Sequence, residues 1–265
     1  MNVTSADGTS IFFEQRGDGP PVILVGGAFN DRTTTVGLAE VLAGDFTTIV
    51  YDRRGRGDSG DSAEYAVERE IEDIAALIAQ AGGTASVFGH SSGAILALEA
   101  AAAGLPIERV VAYEPPYSTD EHQRADVVAD VRARLAAGDR DGAVATFLKV
   151  AGTPEEMIEG MKQAPVWGWF TALAHTLPYD LTICGPEARP RTENLARIKV
   201  PTLVIGGGAS DEALQSGARA AAAAVPGARH ETLDGQDHGV LQFPETLKPL
   251  LTDFLKEASA RPRMQ

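Results

Sequence analysis

Gly89-His90-Ser91-Ser92-Gly93 combines a hydroxyl nucleophile with the glycines that a sharp backbone turn requires. The apolar Ser86-Val87-Phe88 before it predicts a strand, and the alanine-rich run from 92 to about 103 predicts a helix. A serine on a strand-to-helix elbow is held with its hydroxyl clear of the sheet, and the helix N-terminus aims N–H groups at any anion forming beside it. Glycine and serine are common in ordinary turns, so the pentapeptide gains its weight from this context. The glycine spacing centres on Ser91 as the expected nucleophile and leaves Ser92 as an N–H donor.

A serine hydroxyl needs a base of pKa about 6 to 7 to react at neutral pH, and histidine supplies one. Of the five histidines, His238 in Gly235-Gln236-Asp237-His238-Gly239 follows the last predicted strand and is the expected base. His90 lies inside the elbow and is expected to point away from Ser91. His122 and His175 belong to the middle of the chain, and His230 suits packing within a strand. Gly26-Gly27-Ala28-Phe29 follows the first fully apolar strand, where Ala28 is expected to give the second oxyanion N–H and Phe29 to face substrate. An ordinary strand-end turn would use the same residues.

Two carboxylates compete for the third position, in which an acid fixes the histidine tautomer and stabilises its cation. Asp211 follows the strand predicted at Pro201-Thr202-Leu203-Val204-Ile205, in Gly206-Gly207-Gly208-Ala209-Ser210-Asp211-Glu212. A solvated Asp or a helix cap would explain it equally well. Glu114 directly follows the apolar Val110-Val111-Ala112-Tyr113 and precedes Pro115-Pro116, which restrict its backbone. A carboxylate there is costly to bury unpaired, and His238 would satisfy it. Glu114 is the preferred acid and Asp211 the alternative.

The elements that must hold these groups follow an α/β alternation. Ile11-Phe12-Phe13-Glu14, Val22-Ile23-Leu24-Val25 and 46–51 predict strands, and 67–79 predicts a helix with Val67, Ile71, Ile74 and Ile78 on one stripe. After the strand 109–113 the alternation stops until Pro201, then resumes with a strand at 228–233 and a helix through Leu247, Leu250, Leu251 and Phe254. Short apolar runs between amphipathic ones indicate a mostly parallel sheet flanked by helices. Residues 117–197 are expected to form a helical cap inserted between strands 6 and 7 of a single domain. Trp167, Trp169 and Phe170, close together in that cap, are expected to roof the pocket. Tyr51-Asp52-Arg53-Arg54-Gly55-Arg56-Gly57-Asp58-Ser59 is expected to be a structural loop stitched by its own Asp and Arg pairs rather than a phosphate site.

Composition narrows the partners. A chain of 265 residues with a net charge of −14 lacks the positive surface that nucleic acid demands. No apolar run approaches the roughly 20 residues of a membrane span. Met1-Asn2-Val3-Thr4-Ser5-Ala6-Asp7-Gly8 has no basic start leading into an apolar run, so no signal peptide is expected. A single cysteine, Cys184, cannot form an internal disulfide and favours the cytoplasm. No ligand spacing for a metal and no G-x-G-x-x-G fingerprint is legible, so no cofactor is expected. Sequence says nothing of oligomeric state.

On Gly89–Gly93, Asp52–Ser59 and Gly235–His238, the sequence resembles the α/β-hydrolase superfamily over roughly residues 10–115 and 200–257. The resemblance implies an eight-stranded sheet, a Ser–acid–His order along the chain and acyl-enzyme chemistry. It also marks a departure, because Ser210 falls at the usual acid position after strand 7 and Asp211 one step late. The chain is similar to the fungal zearalenone lactonases in a Glu beside proline after strand 6, in the Ser-Ser of the elbow and in Pro165-Val166-Trp167. In those enzymes that tryptophan contacts substrate. The expected activity is hydrolysis of a carboxylic ester or lactone on a small molecule. The alternatives are carbon–carbon or thioester cleavage on the same triad, or a catalytically silent binding protein.

Overall fold

The computed structural model describes residues 1–118 and 125–257. Its strands are β1 (Asn2–Thr4), β2 (Ser10–Arg16), β3 (Pro21–Val25), β4 (Thr47–Tyr51), β5 (Ala85–His90), β6 (Ile107–Tyr113), β7 (Thr202–Gly207) and β8 (Arg229–Leu233). They form one eight-stranded sheet in the order β1-β2-β4-β3-β5-β6-β7-β8. The pairs β1–β2 and β2–β4 are antiparallel, and every other pair is parallel.

Alternate residues of the central strands feed two cores, as a sheet covered on both faces requires. Ile23, Val25, Val87, Val110, Ala112 and Val204 face one side. There they meet α2 (Val67–Gln80), α3 (Ser92–Ala102) and α10 (Glu212–Ala224). Val22, Leu24, Phe88, Val111 and Leu203 face the other, beneath α1 (Arg32–Leu42) and α11 (Lys248–Lys256). No helix stood between β3 and β4 in the sequence reading. Its first turn, Arg32-Thr33-Thr34-Thr35, is rich in β-branched residues that weaken the helical signal, and Asp31 compensates by capping it through the Thr33 N–H.

Between β6 and β7 run α4 (Ala125–Ala136), α5 (Arg140–Val150), α6 (Glu155–Lys162), α7 (Val166–Leu173), α8 (Leu177–Cys184) and α9 (Thr192–Leu195). Val131, Val144, Leu148, Ile158, Trp167, Leu173 and Leu177 give this segment an apolar cluster of its own, which also takes in Phe29. His122 lies outside the described residues. Among the described residues no helix is long and apolar enough to cross a membrane.

The 51–59 loop differs from expectation. Asp52 turns to Arg32 of α1 and accepts the Asp58 N–H at 2.9 Å. The buried Arg53, Arg54 and Arg56 reach carboxylates on the helices packed over them: Glu70 and Asp73 of α2, and Asp180 of α8. Three buried guanidiniums need partners that are equally dry, and here α2 and α8 bring them.

Two helical glycines separate packing from propensity. At Gly217 of α10 a Cβ would stand 2.4 Å from the Tyr117 carbonyl oxygen, whereas at Gly160 of α6 it would meet nothing within 4 Å. Gly217→Ala should cost about 3 kcal/mol through overpacking against backbone, lowering Tm by roughly 6–12 °C at this chain length. Gly160→Ala should stabilise by about 0.4–1 kcal/mol by restricting the unfolded chain. Scanning calorimetry of the two variants checks both signs.

Candidate active site

Strand β5 ends at His90 and α3 begins at Ser92, leaving Ser91 alone at the turn with φ 58° and ψ −126°. The left-handed φ is unusual for a residue with a side chain. Its surroundings hold it there: the Ser91 N–H donates to the Tyr113 carbonyl at 2.9 Å, and its own carbonyl accepts the Ala94 N–H at 2.8 Å. The flanking glycines are steric requirements. A Cβ at Gly89 would lie 2.2 Å from the Gly93 oxygen, and one at Gly93 would lie 2.5 Å from the Val25 oxygen. Gly27 completes the set, since a Cβ there would approach Ser91 Cβ to 2.7 Å.

Glu114 follows β6 with φ 45°, its N–H donating to the Ile205 carbonyl at 2.9 Å, and is completely buried. Its Oε1 accepts the Gly207 N–H at 2.7 Å, and its Oε2 lies 2.7 Å from His238 Nδ1. The Ser210 hydroxyl stands beside the same carboxylate. Burial pushes the carboxyl up, but the hydrogen bonds from His238 and Gly207, with the Ser210 hydroxyl nearby, outweigh it and hold the group below its usual range. An ionised carboxylate only accepts, so Nδ1 carries the proton and Nε2 is left as the basic nitrogen.

Asp211 has a different task. It caps α10, accepting the Leu214 N–H at 2.9 Å, and stands on the wall of the cavity in front of Ser91. The structure therefore brings Glu114, not Asp211, to His238.

His90 and Tyr113 were not read as part of this arrangement. Tyr113 donates its hydroxyl to the Asp237 carbonyl at 2.8 Å. His90 Nε2 is 2.9 Å from the His238 carbonyl, and a carbonyl only accepts, so this nitrogen bears the hydrogen. Burial first, and the nearby His238 second, push the His90 pKa down to about 3, so the ring stays neutral at physiological pH. Together the two side chains hold the backbone of the His238 loop at the strand ends. His238 is thus bound to Glu114 and, through its carbonyl, to His90, and no hydrogen bond joins its ring to Ser91 Oγ.

Ser91, His238, Ala28 and Ser92 share a cavity of about 480 Å³ under the cap helices. The Gly27 N–H is taken by Asn30 Oδ1 at 2.8 Å, so it is not available to a ligand. Ser92 begins α3, and its N–H has no acceptor within the helix. Phe29 and Phe170 lie on the cavity wall with rings stacked 4.3 Å apart. The other two aromatic residues expected there are elsewhere. Trp167 is buried inside the cap cluster, its Nε1 donating to Asp141, and Trp169 is 40% exposed, its Nε1 donating to the Phe29 carbonyl at 2.7 Å. Successive residues of an α-helix step about 100° round its axis, so these three side chains point different ways, and α7 presents Phe170 to the cavity. No lysine or arginine is among the described residues of the wall.

Comparison with known proteins agrees with this geometry. Residues 22–248 match the alpha/beta hydrolase family model. The crystal structure of an alpha/beta hydrolase from Sphaerobacter thermophilus superposes with a TM-score of 0.90 at 49% identity, covering 97% of this chain and 100% of that one. The enol-lactonase from Burkholderia xenovorans is similar in fold, with a TM-score of 0.75 at 21% identity over 97% of this chain and 100% of its own. Among curated proteins, N-formylmaleamate deformylase of Pseudomonas putida is 40% identical over 106 residues, which is 38% of this chain and 40% of that enzyme. The hydrolase YraK of Bacillus subtilis is 36% identical over 96 residues, 35% of either chain. The match therefore spans well under two thirds of either curated relative. On the extent of the family match, from β3 to the start of α11, the chain belongs to the alpha/beta hydrolase family.

Proposed function

We propose that the chain is a serine hydrolase of small, uncharged carboxylic esters or lactones, with Ser91 as nucleophile, His238 as base and Glu114 as acid. The observation that carries this reading is the 2.7 Å contact between Glu114 Oε2 and His238 Nδ1 at the mouth of a strained serine elbow. His238 Nε2 takes the Ser91 proton as Oγ attacks the carbonyl carbon, and the Ala28 and Ser92 N–H groups receive the oxyanion. Collapse expels the alkoxide, which takes the proton from His238. Water, deprotonated by the same nitrogen, then releases the acid and restores Ser91. Relatives named as a deformylase, an enol-lactonase and esterases support chemistry at an acyl carbon. A largely apolar wall, with no lysine or arginine among its described residues, favours a substrate without a carboxylate of its own.

A fluorophosphonate should label Ser91 covalently, seen as one added mass in the intact protein. Ser91→Ala should lose labelling and reduce kcat by on the order of 10⁴-fold or more on p-nitrophenyl esters or lactones. Near-wild-type turnover in the alanine variant would sink the assignment.

The acid is tested by neutralising each carboxylate with its shape kept. Glu114→Gln should lower kcat by about 10⁴-fold, by analogy with the serine-protease Asp→Asn change. Asp211→Asn should stay within a few-fold of wild type in kcat while losing a few tenths of a kcal/mol to about 1 kcal/mol of stability at the α10 cap. The reverse pattern would make Asp211 the acid.

The aromatic residues of the cap divide in the same way. Phe170→Ala should raise KM with a small fall in Tm. Trp167→Ala should lower stability by about 3 kcal/mol or more through the cavity it leaves, with little change in KM. Unchanged stability and a raised KM for Trp167→Ala would return that residue to the substrate site.

A further inference from the structure

Asp180 of α8 is the centre of a buried charge cluster that the reaction above does not use. Its Oδ1 accepts Ser92 Oγ at 2.7 Å and Arg53 Nη1 at 2.8 Å, and its Oδ2 accepts Arg56 Nη2 at 2.8 Å. Arg53 is turned by a two-pronged pair with Glu70, its Nε and Nη2 each 2.6 Å from a carboxylate oxygen. Its remaining amine also reaches the Gly26 carbonyl at 3.3 Å. Arg56 Nη1 donates to the Gly27 carbonyl at 2.5 Å and the Asn30 carbonyl at 3.0 Å. Two guanidiniums face two carboxylates, so the cluster is neutral as a whole and Asp180 has no charge to spare for a cationic ligand. Replacing such a cluster with apolar side chains is often neutral or stabilising, so stability alone does not account for it.

The contacts converge on the oxyanion hole from both sides. One arm of that hole is the loop 26–30, whose carbonyls at Gly26, Gly27 and Asn30 are held by the two arginines. The other arm is Ser92, whose side chain is held by Asp180 itself. Each arm must place its N–H groups within a few tenths of an ångström of a point where negative charge develops. We propose that Asp180 is a positioning residue, through which the cap sets both arms of the oxyanion hole in register via Ser92 and the Arg53–Arg56 pair. The role rests on the serine-hydrolase reading of the site. Burial pushes the Asp180 carboxyl up, but Arg56 and Arg53, with Ser92, hold it below its usual range, so the anchor stays ionised.

Ser92→Ala removes only the hydroxyl's contacts, to Asp180 and at 3.5 Å to Arg53 Nη1, and leaves every charge in the cluster paired, so it isolates the link from the stability of the cluster. The experiment measures kcat and KM on a p-nitrophenyl ester, the affinity for a phenylboronic acid that forms a tetrahedral adduct on Ser91, and Tm. The expected result for Ser92→Ala is a fall of about tenfold in both kcat and boronate affinity, with KM within twofold and Tm within a few degrees. Asp180→Asn should lose about 100-fold in kcat, approaching the loss of one oxyanion donor, with boronate affinity falling in parallel. A folded Asp180→Asn enzyme with wild-type kcat, or Ser92→Ala within twofold of wild type in kcat and boronate affinity, would overturn the role. Should Asp180→Asn fail to fold, Ser92→Ala decides alone. Wild-type protein that no fluorophosphonate labels at Ser91 would instead overturn the reading of the site, and this role with it.

Discussion

A carboxylate wholly out of water must be met by donors on all sides, and Glu114 imposes that demand on the sheet's C-terminal edge. Its positive φ turns the chain at the end of β6 so that the side chain points across β7. Gly207 must then be glycine: a Cβ there would lie 2.8 Å from Glu114 Oε1 and 2.6 Å from the Gln236 oxygen. The N–H that Gly207 presents becomes one donor, and His238 becomes the other. Ser210, at the place where an acid after β7 would usually stand, sits beside the same carboxylate. A second negative charge at that point would repel Glu114, so its displacement to Asp211 and its use as a helix cap follow from the first choice.

The same reasoning explains why the histidine loop needs two further anchors. A hydrogen bond from Nδ1 fixes the ring's tautomer and tilt but not the height of the backbone carrying it. Tyr113 and His90, the last residues of β6 and β5, supply that height through the carbonyls of Asp237 and His238. Ser91, Glu114 and both anchors therefore issue from the ends of two adjacent strands whose register pairs His90 with Tyr113. Errors in the relative position of these groups are limited by a ladder of backbone hydrogen bonds rather than by loops.

What could be read from the sequence was what local pattern determines. The elbow was legible because Gly89 and Gly93 have steric duties within five residues of Ser91, and the sheet because its inner strands are apolar on both faces. Glu114 was legible because a charge directly after an apolar run demands a partner. Asp180 was not: in Leu177-Pro178-Tyr179-Asp180 it has the pattern of any Asp in a helix's first turn, and its meaning comes from residues more than eighty positions away. Trp167 misled for a related reason. Aromatic clustering shows that a helix is buried, but the direction in which each ring points depends on the helix's rotation, and the Trp167–Asp141 bond turns it inward. The charges of the 51–59 loop were seen while their partners were not, because those partners lie on α2 and α8.

Taken together, the buried charges account for the electrostatics of the cavity. Glu114 is satisfied by His238, and Asp180 by Arg53 and Arg56. Asp211, on the wall but more exposed, faces the N–H groups of α10, whose dipole offsets it. No lysine or arginine is among the described residues of the wall. In the proposed reaction the charge left to appear is then the oxyanion itself, in a space walled largely by Phe29, Phe147, Leu148, Phe170 and Leu181. In such surroundings a hydrogen bond is stronger than in water, and two well-placed N–H groups act on a charge that nothing else screens. Matching every other charge in advance is what leaves those two donors decisive.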